Sequence, residues 1–247
     1  FGMTSYEQDA WLRYGGGNEL WRELYAPFNL IPVRGGNSGV QMFGWFNKEI
    51  NSLEDLQGLT MRIPSLGGEV FRRAGGVPVT MQVSEVFTAL QTGALDATEF
   101  VSPYNDLAAG YHTVAEYYYY PGWHEPGSTL ETIFNKEKFE SLPVDLQEIL
   151  MAGTEIMNQL LLDELMARNN EALRVLVEEH DVQLRKLPND VLTELHRLSE
   201  EVVSEMALVD EQTARVFESW RSFRDNVINY NRIAEEAFIE ARNLPLD

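Results

Sequence analysis

From Leu59 to Gly93 short apolar runs alternate with helical stretches of about ten residues, and this alternation restricts the chain to α/β architectures. Leu59–Pro64 and Val77–Met81 read as strands, and Gly67–Ala74 and Ser84–Thr92 as helices, the second stopped by Gly93. Such an order predicts βαβ units and a largely parallel sheet. The flanks extend it. Phe28–Val33 reads as a short buried strand, Arg34–Gly39 as a plain glycine-rich turn, and Val40–Asn47 as a second apolar run with Gln41 near its entry. Ser52 is placed to cap a short helix, Val182–Leu187 forms a last strand, and Pro188-Asn189-Asp190 opens another helix. Before Tyr25, the apolar spacing predicts two helices parted by Gly15-Gly16-Gly17, with Asn18 as cap of the second.

Beyond Glu137 the period changes. Leu146, Ile149, Leu150, Ile156, Leu160, Leu161, Leu165, Leu173 and Leu176 recur at helical spacing with no proline after Pro143, which predicts one very long helix or two nearly collinear ones. Val216, Trp220, Phe223, Val227 and Tyr230 then trace a heptad seam over two repeats. That stripe either packs on its own domain or meets a second copy, since left open it would be an exposed apolar patch. The four-tyrosine run Tyr117–Tyr120, read as a strand, alternates faces.

The balance of 39 acidic against 19 basic residues, a formal charge of -20, repels nucleic acid and anionic membranes. A small anion must therefore be held by local positive charge. The absence of cysteine excludes disulfides, thiolate metal sites and cysteine nucleophiles. His112, His124, His180 and His196 have neither the HExxH nor another zinc-ligand spacing. Ser38, Ser65 and Ser102 lie in no GxSxG setting, so nucleophilic catalysis has little support.

Three residues remain as candidates for small-ligand chemistry. Arg62 lies on an apolar strand, where an unpaired guanidinium is costly, so it faces either a protein carboxylate or a ligand carboxylate held by its two-nitrogen fork. Arg72 and Arg73 sit on the following helix and read as solvated. Glu99 and Glu125 each follow an apolar run, Leu95–Thr98 and Tyr117–Tyr120, and strand ends are where open α/β sheets bind ligands. Two carboxylates with carbonyl or amide oxygens make a site for a hard cation, sodium or calcium. A carboxylate pair can also serve acid-base chemistry, which leaves a metal-dependent enzyme acting on a carboxylic acid as an alternative.

At Arg62, Glu99, Phe100 and Glu125 together, the stretches GLTMRIPSLGGEVFRRAGGVPV, SEVFTALQTGALDATEFVSPYND and YYYYPGWHEPGSTLETIFNKEKFESLP resemble the solute-binding subunits of tripartite ATP-independent periplasmic (TRAP) transporters. The likeness is to the branch that binds 2-oxo acids or lactate, and it covers essentially the whole chain. It implies a non-enzymatic, periplasmic binding protein of two α/β lobes crossed by long helices, with an extended C-terminal helix. Residues 1–39 and 128–166 would form one lobe, 40–127 and 167–215 the other, and 216–247 a C-terminal dimerisation helix. The resemblance also implies that Arg62 grips a ligand carboxylate, while Gln41, Glu99, Glu125 and the Phe100 carbonyl hold Na+ or Ca2+ bridging ligand and protein. Gln41, Arg62, Phe100 and Glu125 would touch the ligand itself, with Phe100 forming one pocket wall where relatives often carry tryptophan. The expected partners are a small carboxylate, the membrane subunits of the transporter and a second copy of the chain. A sugar acid or dicarboxylate held without metal is the alternative cargo. Family members begin with an export signal and a first β-α-β portion, so this chain reads as starting after both.

Overall fold

The computed structural model describes residues 1–245. Two helices open the chain, α1 (Ser5–Tyr14) and α2 (Gly17–Tyr25), divided at the glycine run as expected. The cap of α2 is Gly16, not Asn18: Gly16 adopts a left-handed conformation at φ 88°, and Asn18 lies inside the helix. Strand β1 (Leu30–Asn37) continues straight through the expected glycine turn. It does so because β7 (Thr129–Asn135) pairs antiparallel along its full length, with an irregularity between Arg34 and Gly36. Arg34 is 3% exposed there and is paired with Asp9 and Glu155.

The second, larger sheet is built from β2 (Gly44–Phe46), β3 (Thr60–Arg62), β4 (Val77–Val79), β5 (Ala97–Thr98), β6 (Tyr117–Tyr120) and β8 (Gln183–Lys186), in the order β4-β3-β5-β2-β6-β8. As expected it is largely parallel: five of its six strands run the same way and β2 alone is reversed. The β3–β4, β3–β5 and β6–β8 pairs are parallel, but β2 runs antiparallel to both β5 and β6. Helices α3 (Ser65–Arg73), α4 (Val83–Thr92) and α5 (Pro103–Ala109) connect its strands, and α4 ends at a left-handed Gly93. The tyrosine run alternates faces as expected, Tyr118 entering one core cluster and Tyr119 the other, and because both faces are covered each is buried to within 1%.

After the short α6 (Lys136–Glu140), helix α7 (Val144–Glu178) runs unbroken for 35 residues. At 1.5 Å per residue it is roughly 52 Å long. Its middle lies along β1, and its end drives Leu176, fully buried, into the core around Trp45 and Tyr118. One helix thus ties the small sheet to the large one. Helix α8 (Asn189–Met206) closes the other face of the large sheet, with Val191 and Leu195 fully buried and Arg73 bridging Glu69 of α3 to Glu205 of α8. Arg73 is therefore not the free solvated cation expected.

The terminal seam folds back on its own chain. Val216, Trp220, Phe223 and Val227 of α9 (Glu211–Ile233) pack against the cluster of Met3, Trp11 and Leu12. Trp11 Nε1 donates to Ser219 Oγ at 3.1 Å, and buried Arg224 pairs with Glu200 of α8 at 2.8 Å. The chain then breaks at Ala234 into α10 (Glu235–Arg242), so 216–247 is not one helix, and its last two residues lie outside those described. Among the described residues no helix is long and apolar enough to cross a membrane.

Candidate functional site

Strands β3 and β5 are parallel neighbours, with Arg62 opposite Thr98, so Arg62 and Glu99 emerge together at the C-terminal edge of the large sheet. The Glu99 N–H donates to the Arg62 carbonyl at 3.1 Å. The Glu99 carboxylate is 2% exposed and forms an ion pair with Arg62 Nη1, which also reaches the Glu99 carbonyl at 3.3 Å. Among the described residues, the hydrogen bonds of the Arg62 guanidinium all run through Nη1. Nη2 and Nε, on an 18% exposed side chain, stay available to an incoming anion. Gly44 makes the approach of β5 possible: a Cβ there would lie 2.1 Å from the Thr98 carbonyl oxygen.

Strand β6 delivers the second half of the site. Its exit, Gly122 to Glu125, runs beside the entry to β2: the Gly122 N–H donates to the Gln41 carbonyl at 2.9 Å, and the Gln41 N–H to the Glu125 carbonyl at 3.1 Å. A side chain at 122 would meet the Gln41 carbonyl oxygen at 2.3 Å, so only glycine allows this contact. Farther along the same two crossings between the sheets, the Ser38 N–H donates to the Ser128 carbonyl at 3.1 Å. Gln41 Nε2 donates to Ser38 Oγ at 3.0 Å and Ser128 Oγ at 3.4 Å, and Ser128 Oγ donates to Glu125 Oε2 at 2.7 Å. The other amide oxygen, Gln41 Oε1, is buried with no hydrogen-bond partner. A buried acceptor without a donor is costly, and a cation satisfies it.

Sequence reasoning missed two members, His124 and Ser128. The His124 ring is 2% exposed, its Nε2 stands 3.5 Å from Glu99 Oε2, and neither ring nitrogen has a hydrogen-bond partner. Glu99, His124 and Glu125 each offer one ligand atom within 4.8 Å of the others. A search for histidine pairs at zinc-motif spacing passes over one histidine whose partners are distant in sequence; its adjacency to Glu125 was the available signal. Phe100 stands with its ring edge-to-face against Tyr111 at 5.5 Å, anchored in the core beneath the site.

Below that loop lies Asp106, fully buried, accepting from Tyr118 Oη at 2.7 Å, Trp45 Nε1 at 3.0 Å and the Val101 N–H at 3.2 Å. Burial pushes its carboxyl up to about 7, against the three donors, and the charge of Glu99 adds to the rise. Through Val101 this node holds the backbone just after Glu99 and Phe100. The donor set above it consists of carboxylates, an amide oxygen and one imidazole, which suits a cation with oxygen ligands. The residues fit the cation that the sequence resemblance implies.

Comparison with known proteins identifies the family. Residues 1–210 match the family model for bacterial extracellular solute-binding proteins, family 7. A monocarboxylate 2-oxoacid-binding periplasmic protein of Nostoc is 39% identical over 238 residues, which is 96% of this chain and 65% of that protein. The chain thus spans about two thirds of the length of that curated relative. A TRAP periplasmic solute-binding protein from Colwellia psychrerythraea, with bound calcium and pyruvate, superposes with a TM-score of 0.93 at 38% identity, covering 98% of this chain and 74% of the other. One from Pseudoalteromonas atlantica, with bound sodium and pyruvate, gives 0.91 at 39% identity, covering 97% and 73%. The family match over residues 1–210 shows that the chain belongs to family 7 of the bacterial extracellular solute-binding proteins.

Proposed function

We propose that the chain captures a small 2-oxo or 2-hydroxy monocarboxylate, of the pyruvate, 2-oxobutyrate or lactate type, for a TRAP transporter. The observation that carries this reading is the grouping of Glu99, His124 and Glu125 within 4.8 Å, with Arg62 paired to Glu99, and with Gln41, whose buried Oε1 has no partner, bonded to the Glu125 backbone. Arg62 takes the ligand carboxylate through the nitrogens not used on Glu99. Gln41 Oε1, Glu99, Glu125 and the Phe100 carbonyl hold Na+ or Ca2+, the ions found with pyruvate in the Pseudoalteromonas and Colwellia proteins. When bound, the cation supplies the positive charge that offsets repulsion between two glutamates and an anionic ligand. Gln41, Arg62, Phe100 and Glu125 line the ligand, with the Phe100 ring as one wall.

The site joins two lobes, residues 1–39 with 128–166 and residues 40–127 with 167–215. The paired crossings at Ser38–Gln41 and Gly122–Ser128 are its hinge, where closure would exclude water from the ion and present the closed form to the membrane subunits. The protein works in the periplasm. Dimerisation, if driven by the C-terminal region, uses what the seam leaves uncovered: Tyr230, Ile233 and Phe238 are 63%, 78% and 62% exposed.

A thermal-shift panel of pyruvate, longer 2-oxo acids, lactate, sugar acids and dicarboxylates, each with sodium, calcium or chelator, tests the proposal. Stabilisation by a monocarboxylate only with the cation present is expected, and it is lost in Glu99→Gln and Glu125→Gln. A metal-independent shift with sugar acids or dicarboxylates would replace it by the other cargo class.

A further inference from the structure

At the opposite, N-terminal edge of the large sheet, two histidines that the proposed function does not use lie side by side. His112 belongs to the single helical turn Tyr111–Thr113, and His180 follows directly on Glu179, the C-cap of α7. They are 68 positions apart in the chain (180 − 112), yet their ring centroids stand 4.2 Å apart with the planes inclined by 41°. The two segments are tied together just beyond them, where the Gln183 N–H donates to the Glu116 carbonyl at 3.1 Å. The pair opens on a recess of about 420 Å³ whose lining includes Asn47, Glu116 and Asp181 as well as both histidines. None of these residues belongs to the Arg62–Glu99 site. His112 Nδ1 is buried with no hydrogen-bond partner.

We propose that His112 and His180 form a second cation site, which takes a borderline divalent transition metal such as Zn2+, Cu2+ or Ni2+. Two imidazoles on neighbouring segments give nitrogen donors that suit these ions and not calcium or sodium. The surroundings favour positive charge: Glu116 and Asp181 line the same recess, and His180 lies just past the negative, C-terminal end of the 35-residue α7. Among the described residues only Glu99, His124 and Glu125 bring three such groups within 4.8 Å, so the recess is a two-nitrogen site completed by water, with the carboxylates acting through their charge. A bound metal clamps the turn before β6 to the end of α7.

The test uses chelator-stripped Glu99→Gln/Glu125→Gln protein, in which the central cluster is silenced, titrated calorimetrically with ZnCl2 and then CaCl2. One zinc per chain and no calcium binding are expected. Adding His112→Asn or His180→Asn should weaken zinc binding at least tenfold, while each variant's melting temperature without metal shows that it folds. Cu2+ bound to the same protein, with its histidines intact, should give an electron paramagnetic resonance spectrum with coupling to two nitrogens, a readout that needs no histidine variant. Absence of zinc binding, zinc affinity unchanged by both histidine variants, or a copper spectrum without coupling to two nitrogens would each overturn the proposal.

Discussion

Replacing Arg62 by methionine removes the guanidinium but keeps most of the apolar stem, and it leaves the Glu99 carboxylate 2% exposed without its ion-pair partner. Breaking a buried pair from one side costs about 3–5 kcal/mol. Because Arg62 is itself 18% exposed and His124 Nε2 stands 3.5 Å from the other carboxylate oxygen, the lower end applies, about 3 kcal/mol. For a chain of this size that lowers Tm by roughly 6–12 °C. Adding Glu99→Gln removes the stranded charge, so the double variant should recover most of the loss. Urea unfolding followed by the fluorescence of the five tryptophans measures both. Arg62→Lys separates stability from binding: it keeps a cation beside Glu99, so stability falls little, but it cannot reproduce the planar fork, and affinity for a monocarboxylate should fall at least tenfold. A loss below about 1 kcal/mol in Arg62→Met, or additive losses in the double variant, would refute the buried-pair argument. Unchanged ligand affinity in Arg62→Lys would make Arg62 purely structural.

Asp106→Asn must turn its amide NH2 towards the Val101 N–H or the Trp45 Nε1–H, both donors, so a loss of about 1–3 kcal/mol is expected by urea unfolding. The native Asp106 carboxyl is raised from 3.8 to about 7, so its stabilising contribution is fully present below pH 3.8 and is lost as pH rises towards 7. That contribution is about 4 kcal/mol, and the gap between native and Asp106→Asn proteins should widen by this order from pH 7 to pH 4; a constant gap would show that Asp106 does not titrate there. Leu176→Ala empties a fully buried site where α7 enters the large-sheet core and should cost about 2–5 kcal/mol in the same assay. Gly122→Ala forces the Gln41 backbone away by clash with its carbonyl oxygen, so urea unfolding should show a loss of stability and calorimetry weaker cation-dependent ligand binding. Light scattering after size exclusion tests dimerisation: if Tyr230→Ser/Ile233→Ser/Phe238→Ser leaves the mass unchanged, the C-terminal region does not mediate it.

Local patterns carried much of the fold. The proline-free run of helix formers after Pro143 is enough for one long helix, because nothing in it breaks the backbone hydrogen bonding, although Ile149, Ile156 and Leu160 stay exposed. The Gly93 stop and the start of α8 after Pro188 are equally local, since they depend on the conformations those residues allow. Arg62 on an apolar strand, and acids just past strand ends, were legible as chemistry for the same reason: burial of charge needs a partner.

What the chain alone did not decide depends on partners far away in sequence. The Arg34–Asn37 stretch is a strand only because β7 supplies its hydrogen bonds and Asp9 and Glu155 neutralise Arg34. The seam on α9 has the same spacing whether it meets Trp11 or another molecule, and only packing chose Trp11. Sheet direction at β2, burial of both Tyr118 and Tyr119, and the meeting of His124 with Glu99 are likewise long-range outcomes. Residue type and period thus determined the elements and the kind of ligand the chain can hold. Strand order and helix packing, set by which apolar faces bury each other best, decided which of those side chains share one site.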